Sequence, residues 1–393
     1  MELGLLYEFD VPQPWAGEHP WGQRTAERQA YKECIEQIVH ADKHGFHTVW
    51  CVEHHFRENR SHMPSNEVVL GALSQITKDI KLGFGVTLAP HEFIHPARLA
   101  EKVATVDLLS QGRVEWGIGR STPMEQTAFK VDRPRSKEKM RHAARTVVGM
   151  WEQEIYEEHS EFLDFPARMV TPKPYQFPHP PVWMAANAEE GARIAGGDGC
   201  GLLCFTLLQP LGKLKPVIDA YREAQQTAKP LTSIHTNKVG AYTLVHCAES
   251  RRDFEQNRLW DSMWWWYKGQ AEFHMKWELA NMDEEARNAF FPLIQKFSQG
   301  RFQLNEFDKE DMVIVGTPDE CFEKLVKYEE AGVDQVLCYL NFGYLPHAAV
   351  LRSIELLGTE VIPRLKKHRA NRIAEGLTAQ IEHYRSLSAG PGE

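Results

Sequence analysis

The residues best suited to chemistry form a short titratable run, Glu53-His54-His55, directly after the apolar stretch Thr48–Val52. An imidazole titrates near neutral pH, so it can take up or release a proton during a reaction. The apolar stretch has the composition of a strand buried on both faces, and the run stands where such a strand would end. In a (β/α)8 barrel, active sites lie at the C-terminal ends of the strands. The run therefore predicts a site at the rim of a barrel.

The two histidines of this run are expected to have different roles, because neighbouring side chains on a strand point to opposite faces. An alternative use of the run is a metal site on a hydrolase barrel, with Glu53, His54, His55, His91 and His95 as ligands. Consecutive strand residues cannot all face one ion, and no His-x-Glu or paired-Asp framework accompanies them. The sequence therefore favours a site without a metal.

Composition limits the class of protein. The chain has 393 residues, of which 42% are hydrophobic and 25% charged, enough for a large core in one big α/β domain or two ordinary ones. Lys and Arg total 45 against 54 Asp and Glu, a net charge of −9 with no long basic run, which argues against a nucleic-acid partner. There is no secretion signal and no apolar stretch long enough to cross a bilayer, so a cytoplasmic protein is expected.

Seven cysteines lie mostly within apolar runs and never form a Cys-x-x-Cys pair. Such residues are typical of small buried hydrophobic side chains in a reducing compartment. They agree with the cytoplasmic location.

Eight short apolar, β-rich runs alternate with amphipathic helical stretches, which predicts α/β architecture. Glycine follows several helices directly before the next strand, as in His44-Gly45-Phe46 and Ala331-Gly332-Val333. No phosphate-binding glycine loop follows the first strand, so we expect a closed (β/α)8 TIM barrel instead of an open doubly wound sheet. The predicted strands are Leu3–Leu6, Thr48–Val52, Leu82–Leu88, Val114–Ile118, Val182–Ala185, Gly201–Phe205, Val239–Val245 and Gln335–Leu340.

Two insertions are predicted, after strands four and seven. The first covers Tyr156–Pro181, and the second, about residues 251–313, is rich in aromatic residues that include Trp264, Trp265 and Tyr267. A long insertion on a compact scaffold often forms a lid. These aromatic side chains could line a pocket, or they could pack on the barrel or on another subunit. We expect one barrel domain over residues 1–370 and a helical or flexible tail over 371–393.

Several motifs in one order resemble the bacterial luciferase-like flavin monooxygenases along nearly the whole chain. No single motif would be specific, but the set is. The matching segments are Gly45–Phe56, His95-Pro96, Asp107–Arg113, Gly117–Arg120, Val315–Glu320, Ser353–Leu356 and Val361–Pro363.

The resemblance implies a (β/α)8 barrel that uses reduced FMN and dioxygen. Such an enzyme inserts one oxygen atom into an aldehyde, a ketone or another apolar or aromatic substrate through a flavin peroxide, and a separate flavin reductase supplies the reduced FMN. The family is often dimeric, so a homodimer is expected. The first histidine of the Glu-His-His run, here His54, would act in acid–base catalysis together with Glu53. The substrate pocket would include His55, Trp264, Trp265 and Tyr267, although for His55 a packing role between strand and helix is favoured.

The resemblance also assigns cofactor-binding positions. Gly85 and Val86 match the strand that lies against the flavin ring and carries a non-prolyl cis peptide bond in the luciferase catalytic subunit. Arg120 matches an arginine that binds the FMN phosphate, and Lys137 stands where relatives often have a second arginine. A further phosphate-binding stretch comprises Ala186, Asn187, Ala188 and Gly191, where relatives have Ser or Thr, and two glutamates beside it would repel phosphate unless they point outward.

Two alternatives remain within this fold. Some relatives use a deazaflavin as a hydride carrier and are dehydrogenases or reductases that consume no dioxygen. The chain could also be a non-catalytic flavin-binding partner subunit, as in the luciferase heterodimer. Glu53-His54-His55 together with Arg120 argues for a catalytic chain.

Overall fold

The chain forms a closed barrel of eight parallel strands, as predicted. The computed structural model describes residues 1–15, 22–206, 210–231, 233–279, 284, 287, 295–296, 299 and 304–388. In chain order the strands are β1 (Glu2–Tyr7), β2 (Thr48–Cys51), β3 (Lys81–Leu88), β4 (Val114–Gly119), β5 (Tyr156–His159), β6 (Asp164–Arg168), β7 (Val182–Ala185), β8 (Gly201–Phe205), β9 (Val239–Cys247), β10 (Ile314–Gly316) and β11 (Gln335–Tyr339). The barrel runs β1-β2-β3-β4-β7-β8-β9-β11 and closes from β11 back to β1.

Helices cover the outside of the barrel. Each strand is apolar on both faces, so its outward face is buried by helices while its inward face packs in the barrel interior. They are α1 (Gly22–Lys43), α2 (Asn66–Ile76), α3 (Pro96–Leu109), α4 (Pro123–Ala128), α5 (Ser136–Glu152), α6 (Glu189–Gly197), α7 (Leu211–Gln225), α8 (Asp253–Gln256), α9 (Leu259–Phe273), α10 (Leu304–Lys309), α11 (Pro318–Glu330), α12 (His347–Leu356) and α13 (Ile362–Ser388). Two π-helical segments, His274–Glu278 and Leu357–Val361, continue α9 and join α12 to α13.

The interior of the barrel is filled by large side chains, and Trp50 on β2 connects several strands. A Cβ atom at Gly83 would lie 2.5 Å from the Trp50 ring, and one at Gly85 would lie 2.9 Å from the Trp50 Cβ. The Trp50 Nε1 donates to the Gln335 side chain at 2.8 Å, and the Trp50 ring meets Trp183 edge-on at 5.4 Å. The two glycines of β3 thus make room for one tryptophan of β2.

The first predicted insertion contains an antiparallel hairpin, β5 and β6. Its strands are largely exposed, and apolar runs do not mark them in the sequence. The prediction of eight apolar runs therefore located the excursion and missed the hairpin inside it.

The second insertion carries α8, α9 and α10, and the short strand β10 directly after it pairs in parallel with the end of β9. Most of residues 280–303, part of the predicted lid, lies outside the described residues. Residues 371–388 of the predicted tail belong to α13, and 389–393 are not described. Across the residues that the structure describes, none of the helices combines the length and the apolar character that a membrane span requires.

Candidate active site at the mouth of the barrel

The C-terminal ends of three strands carry strained backbone. Phe9 after β1, Phe56 after β2 and Ser121 after β4 have φ angles of 53°, 61° and 75°. Residues other than glycine rarely adopt this left-handed region, and such residues cluster at active sites. The titratable run after β2 therefore lies at a rim where the backbone after β1 and β4 is also held in an uncommon conformation.

His54 pairs with a carboxylate that comes from another part of the chain. Its Nδ1 lies 3.1 Å from the Oε1 of Glu125, which belongs to α4. The Glu125 side chain is fully buried, whereas His54 retains 22% exposure. A buried carboxylate beside a partly exposed imidazole orients the ring and leaves its other nitrogen, Nε2, outside this hydrogen bond.

Glu125 is held as an anion. Burial alone would raise the pKa of its carboxyl, but the charge of His54 and hydrogen bonds from His54, Ser121 and the His55 amide hold the pKa well below its usual range. Ser121 Oγ donates to Oε2 at 2.6 Å, and the His55 amide donates to Oε1 at 2.7 Å. Glu125 also closes the capping box of α4 through the Thr122 amide. The geometry thus adds to the predicted site a residue that sequence reasoning missed.

The other two members of the titratable run face different surroundings. Glu53 Oε2 lies 3.6 Å from Lys102 Nζ on α3, and its Oε1 lies 3.5 Å from His55 Nε2. His55 packs edge-on against Phe129 with ring centroids 5.0 Å apart. The structure thus brings Glu53 and His55 together beside α3, whereas His54 contacts Glu125.

The peptide bond between Gly85 and Val86 on β3 is cis, as the resemblance implied. A Cβ atom at Gly119 would lie 2.4 Å from Val86 Cγ2, and one at Gly117 would lie 3.0 Å from Val86 Cγ1. Two glycines of β4 thus leave space for the Val86 side chain. A side chain at Gly85 would meet Trp50, so the glycine also serves the packing of the barrel.

The predicted phosphate-binding cations gather near the start of α6. Lys137 Nζ forms a 2.8 Å ion pair with Glu190 Oε1, and the charge of Arg120 also acts on Glu190 to lower its carboxyl pKa, after the larger effect of Lys137. Glu190 is 74% exposed, so its carboxylate points outward. Within the described part of the chain, no side chain caps the first turn of α6, which begins after Ala188.

The remaining predicted positions shape the connection into α6. The Ala186 amide donates to the Leu203 carbonyl at 2.9 Å, and Asn187 Oδ1 accepts from the Phe205 amide at 3.1 Å. A Cβ atom at Gly191 would lie 2.8 Å from the Ala186 Cβ. The segment is thus fixed by its own contacts with β8.

The aromatic residues of α9 have separate environments. Trp264 and Trp265 are partly buried against the core, and Trp265 meets Tyr344 edge-on at 6.1 Å. Tyr267 is fully buried and stacks on Phe307 at 4.1 Å. Trp266 lies under the Arg60 guanidinium at 4.7 Å. Tyr267 thus packs against another helix of the inserted segment.

A second polar cluster at the mouth was not predicted. Arg60 donates to Glu8 at 2.6 Å and lies 3.8 Å from Asp10, while the Tyr339 hydroxyl donates to Asp10 at 2.5 Å. Burial raises the pKa of Asp10 to about 7, helped by Glu8 and opposed by Arg60 and Tyr339. Glu8 and Asp10 directly follow β1, as Glu53 and His54 follow β2, so the position alone could have identified them.

Comparison with known proteins identifies the family. The family model described as luciferase-like monooxygenase matches residues 14–335. This chain belongs to the luciferase-like monooxygenase family. Two luciferase-like relatives are the oxygenase component of flavin-dependent trigonelline monooxygenase from Acinetobacter baylyi and the F420-dependent glucose-6-phosphate dehydrogenase of Segniliparus rotundus. The first is 26% identical over 89% of this chain and 94% of the relative, and the second is 24% identical over 87% and 96%.

Solved structures show the same luciferase-like fold. The crystal structure of monooxygenase RslO1 from Streptomyces bottropensis superposes with a TM-score of 0.71 at 25% identity, covering 93% of this chain and all of that one. The family assignment and the barrel that the sequence predicted are thereby confirmed.

Proposed function

We propose that this chain is the oxygenase component of a two-component monooxygenase. It takes reduced FMN from a separate flavin reductase, and it adds one atom of dioxygen to an aldehyde, a ketone or another organic substrate. The observation that carries the proposal is the hydrogen bond between His54 and the buried, ionised Glu125 at the C-terminal mouth of the barrel. We further propose that it acts in the cytoplasm as a homodimer.

The residues at the mouth fit a flavin mononucleotide. Arg120 and Lys137 supply positive charge beside the uncapped first turn of α6, and free amides at a helix N-terminus bind phosphate. Glu190 already occupies Lys137, so a phosphate would have to share that cation. The ring would lie toward Gly85 and Val86 on β3, the strand next to the one that leads to His54.

His54 would hold and move the proton of the reaction. An ionised carboxylate can only accept a hydrogen bond, so His54 Nδ1 carries a proton toward Glu125. The Nε2 is then the nitrogen that can take a proton from, or return it to, the reacting atoms. Glu125 fixes the orientation of the ring through this hydrogen bond. Reduced FMN, when bound, supplies the two electrons with which dioxygen is activated.

The inserted segment would keep water away from these atoms. The aromatic helix α9 lies over the mouth, since Trp266 covers Arg60 and Phe273 covers Arg57. Excluding water suppresses side reactions in a closed site. The similarity to the trigonelline monooxygenase oxygenase component supports both the oxygenation and the separate reductase.

A second candidate is a deazaflavin-dependent dehydrogenase, which the similarity to the F420-dependent glucose-6-phosphate dehydrogenase favours. The two functions differ in their need for oxygen. Anaerobic turnover with the deazaflavin F420 as hydride acceptor would establish the second candidate and exclude the first.

The experiment that tests the first proposal needs no substrate. The protein is loaded anaerobically with reduced FMN and mixed with oxygenated buffer in a stopped-flow instrument. We expect the absorbance of oxidised FMN to return much more slowly than for free reduced FMN, because the site controls the reaction with dioxygen. A return at the rate of free flavin, or no binding of reduced FMN, would contradict the proposal.

A further inference from the structure

We propose that Arg57 binds a carboxylate of the substrate, so that the organic molecule accepted at this mouth is an anion with an apolar or aromatic body. The inference rests on the proposed function, because it specifies the substrate class of that same site. Arg57 follows His54 by three residues in the segment after β2, and the resemblance that identified the other site residues assigned it no role.

The guanidinium of Arg57 lies inside the mouth. Its Cζ stands 4.0 Å from the centroid of the Phe273 ring at the end of α9. Glu8, which follows β1, Glu125 of α4 and Tyr242 of β9 all act on it electrostatically and favour its positive charge. Arg57 is therefore surrounded by groups from several sides of the barrel, close to the partner of His54.

Arg57 differs from Arg60 in its partners. Arg60 is paired with Glu8 and Asp10. Within the described residues, the guanidinium of Arg57 makes neither a hydrogen bond nor an ion pair, and its stacking on Phe273 satisfies none of its five N–H donors. Burial, and then Arg60, lower the pKa of Arg57, and Glu8, Glu125 and Tyr242 offset this lowering only in part.

Neutral polar groups complete the surroundings. Burial, together with the charges of Arg57 and Arg60, lowers the pKa of His274 to about 4, so this ring is neutral near pH 7. Among the described residues, its Nδ1 has no hydrogen-bond partner, and neither does Glu8 Oε2. The Tyr242 hydroxyl is kept neutral because burial raises its pKa.

The anions of the cluster are engaged by groups other than Arg57. Glu8 offsets Arg60, Asp10 is partly protonated near pH 7, and Glu125 is engaged by His54, Ser121 and the His55 amide. Arg57 is the cation of this cluster that has no hydrogen-bonded carboxylate among the described residues. A guanidinium fork matches a carboxylate in a two-point hydrogen bond, and the Phe273 ring offers an apolar wall beside it. The pyrimidine edge of a reduced flavin is the other anionic group that could meet Arg57.

The test measures binding of acid and amide pairs of equal shape, benzoate with benzamide and 2-naphthoate with 2-naphthamide, by isothermal titration calorimetry. Titrations are run on the flavin-free protein and on the protein loaded anaerobically with reduced FMN. The variants are Arg57→Gln, Arg57→Lys and the matched control Arg98→Gln, which removes a guanidinium that is 73% exposed on α3. Thermal unfolding of each variant checks that it is folded.

We expect the wild type and Arg98→Gln to prefer the acid over its amide. Arg57→Gln should lose roughly 10- to 100-fold in affinity for the acid and little for the amide, as for a lost hydrogen bond between charged groups. Arg57→Lys should restore part of the preference.

Equal binding of acids and amides by the wild type, or no binding of either, would overturn the inference. So would an Arg57→Gln variant whose acid binding is intact but whose affinity for reduced FMN has dropped, because the arginine would then serve the flavin. The two proposals can fail separately. If the wild type binds reduced FMN and slows its oxidation in the stopped-flow experiment, the proposed function stands even when the acid preference is absent.

Discussion

The imidazole of His54 and the carboxylate of Glu125 are separated by 71 residues in the chain and by 3.1 Å in the structure. Glu125 is fully buried, and His54 reaches the mouth of the barrel. The pair joins the end of β2 to the first turn of α4, so one carboxylate both caps a helix and orients the proposed catalytic ring.

Replacing Glu125 by Gln should lower the free energy of unfolding by about 1–3 kcal/mol near neutral pH, because buried donors lose their charged acceptor. The pKa of Glu125 lies below its ordinary value of 4.5. Its stabilising contribution is therefore present above that pH and is lost as the pH falls toward the lowered pKa. Urea denaturation at several pH values should show the gap between wild type and Glu125→Gln narrowing below pH 4.5. A gap that widens on acidification would contradict this assignment.

Replacing His54 by Ala should reduce the yield of oxygenated product per reduced FMN by about 100-fold or more, because a positioned acid–base group contributes at least that factor. His55→Ala is the matched variant at the adjacent position, where the ring packs on Phe129. We expect its yield to stay within about tenfold of the wild type, since it loses only packing and an ion pair. Product analysis after a fixed supply of reduced FMN measures both. Equal losses in the two variants would remove His54 from its proposed role.

Charges near the start of α6 should change the affinity for FMN, which has a phosphate, and leave the affinity for riboflavin unchanged. Arg120→Gln should weaken reduced FMN binding by about tenfold, through loss of a charge-assisted hydrogen bond. Glu190→Gln should strengthen binding, because it releases Lys137 and removes a negative charge. Anaerobic fluorescence titration measures both affinities. Riboflavin lacks the phosphate, so unequal riboflavin affinities among these variants would place the phosphate elsewhere.

Asp10→Asn should remove a pH dependence of stability. The pKa of Asp10 rises from 3.8 to about 7 on folding. The folded protein therefore favours the protonated acid, and this stabilisation is complete below pH 3.8 and is lost as the pH rises to about 7. The free energy of unfolding of the wild type relative to Asp10→Asn should fall over that interval, by roughly 4 kcal/mol, and stay level above it. If the free energies of unfolding of the two proteins differed by the same amount at pH 5 and at pH 8, this prediction would be wrong.

Gly119→Ala should destabilise the barrel by about 1–3 kcal/mol, because the new methyl group would overlap Val86. Val86→Ala removes the atom that the methyl group meets, so Gly119→Ala should cost less in that background. Denaturant unfolding of the two single variants and the double variant gives the coupling between the positions. Additive effects would show that Val86 does not fill this space.

Much of the fold could be predicted because parallel strands buried on both faces leave continuous apolar runs. The bounds of Val182–Ala185 and Gly201–Phe205 agree with β7 and β8. The exposed hairpin lacks such a run and was missed, and the three-residue strand β10 was missed although it lies in the apolar run Met312–Val315. The six-residue α4 was missed as well, although Thr122-Pro123-Met124-Glu125 carries the capping-box pattern that begins a helix.

The site was predictable only where one segment contains it. Glu53, His54 and His55 are adjacent in sequence, but the distance between His54 and Glu125 depends on how β2 and α4 are placed by the whole barrel. A capping glutamate has an ordinary structural role, so its second role is not visible in the sequence. The same holds for Arg57, because the groups that act on it follow β1 or lie on α4 and β9, far from it in sequence.

The tryptophan at position 50 holds several strands of the barrel wall together. Its ring occupies the space above two glycines of β3 and also meets β7 and β11. One side chain of β2 thus contacts three other strands of the barrel, β3, β7 and β11. Efforts to alter substrate range are therefore best aimed at α9, whose rings lie on Arg57 and Arg60, leaving the barrel wall untouched.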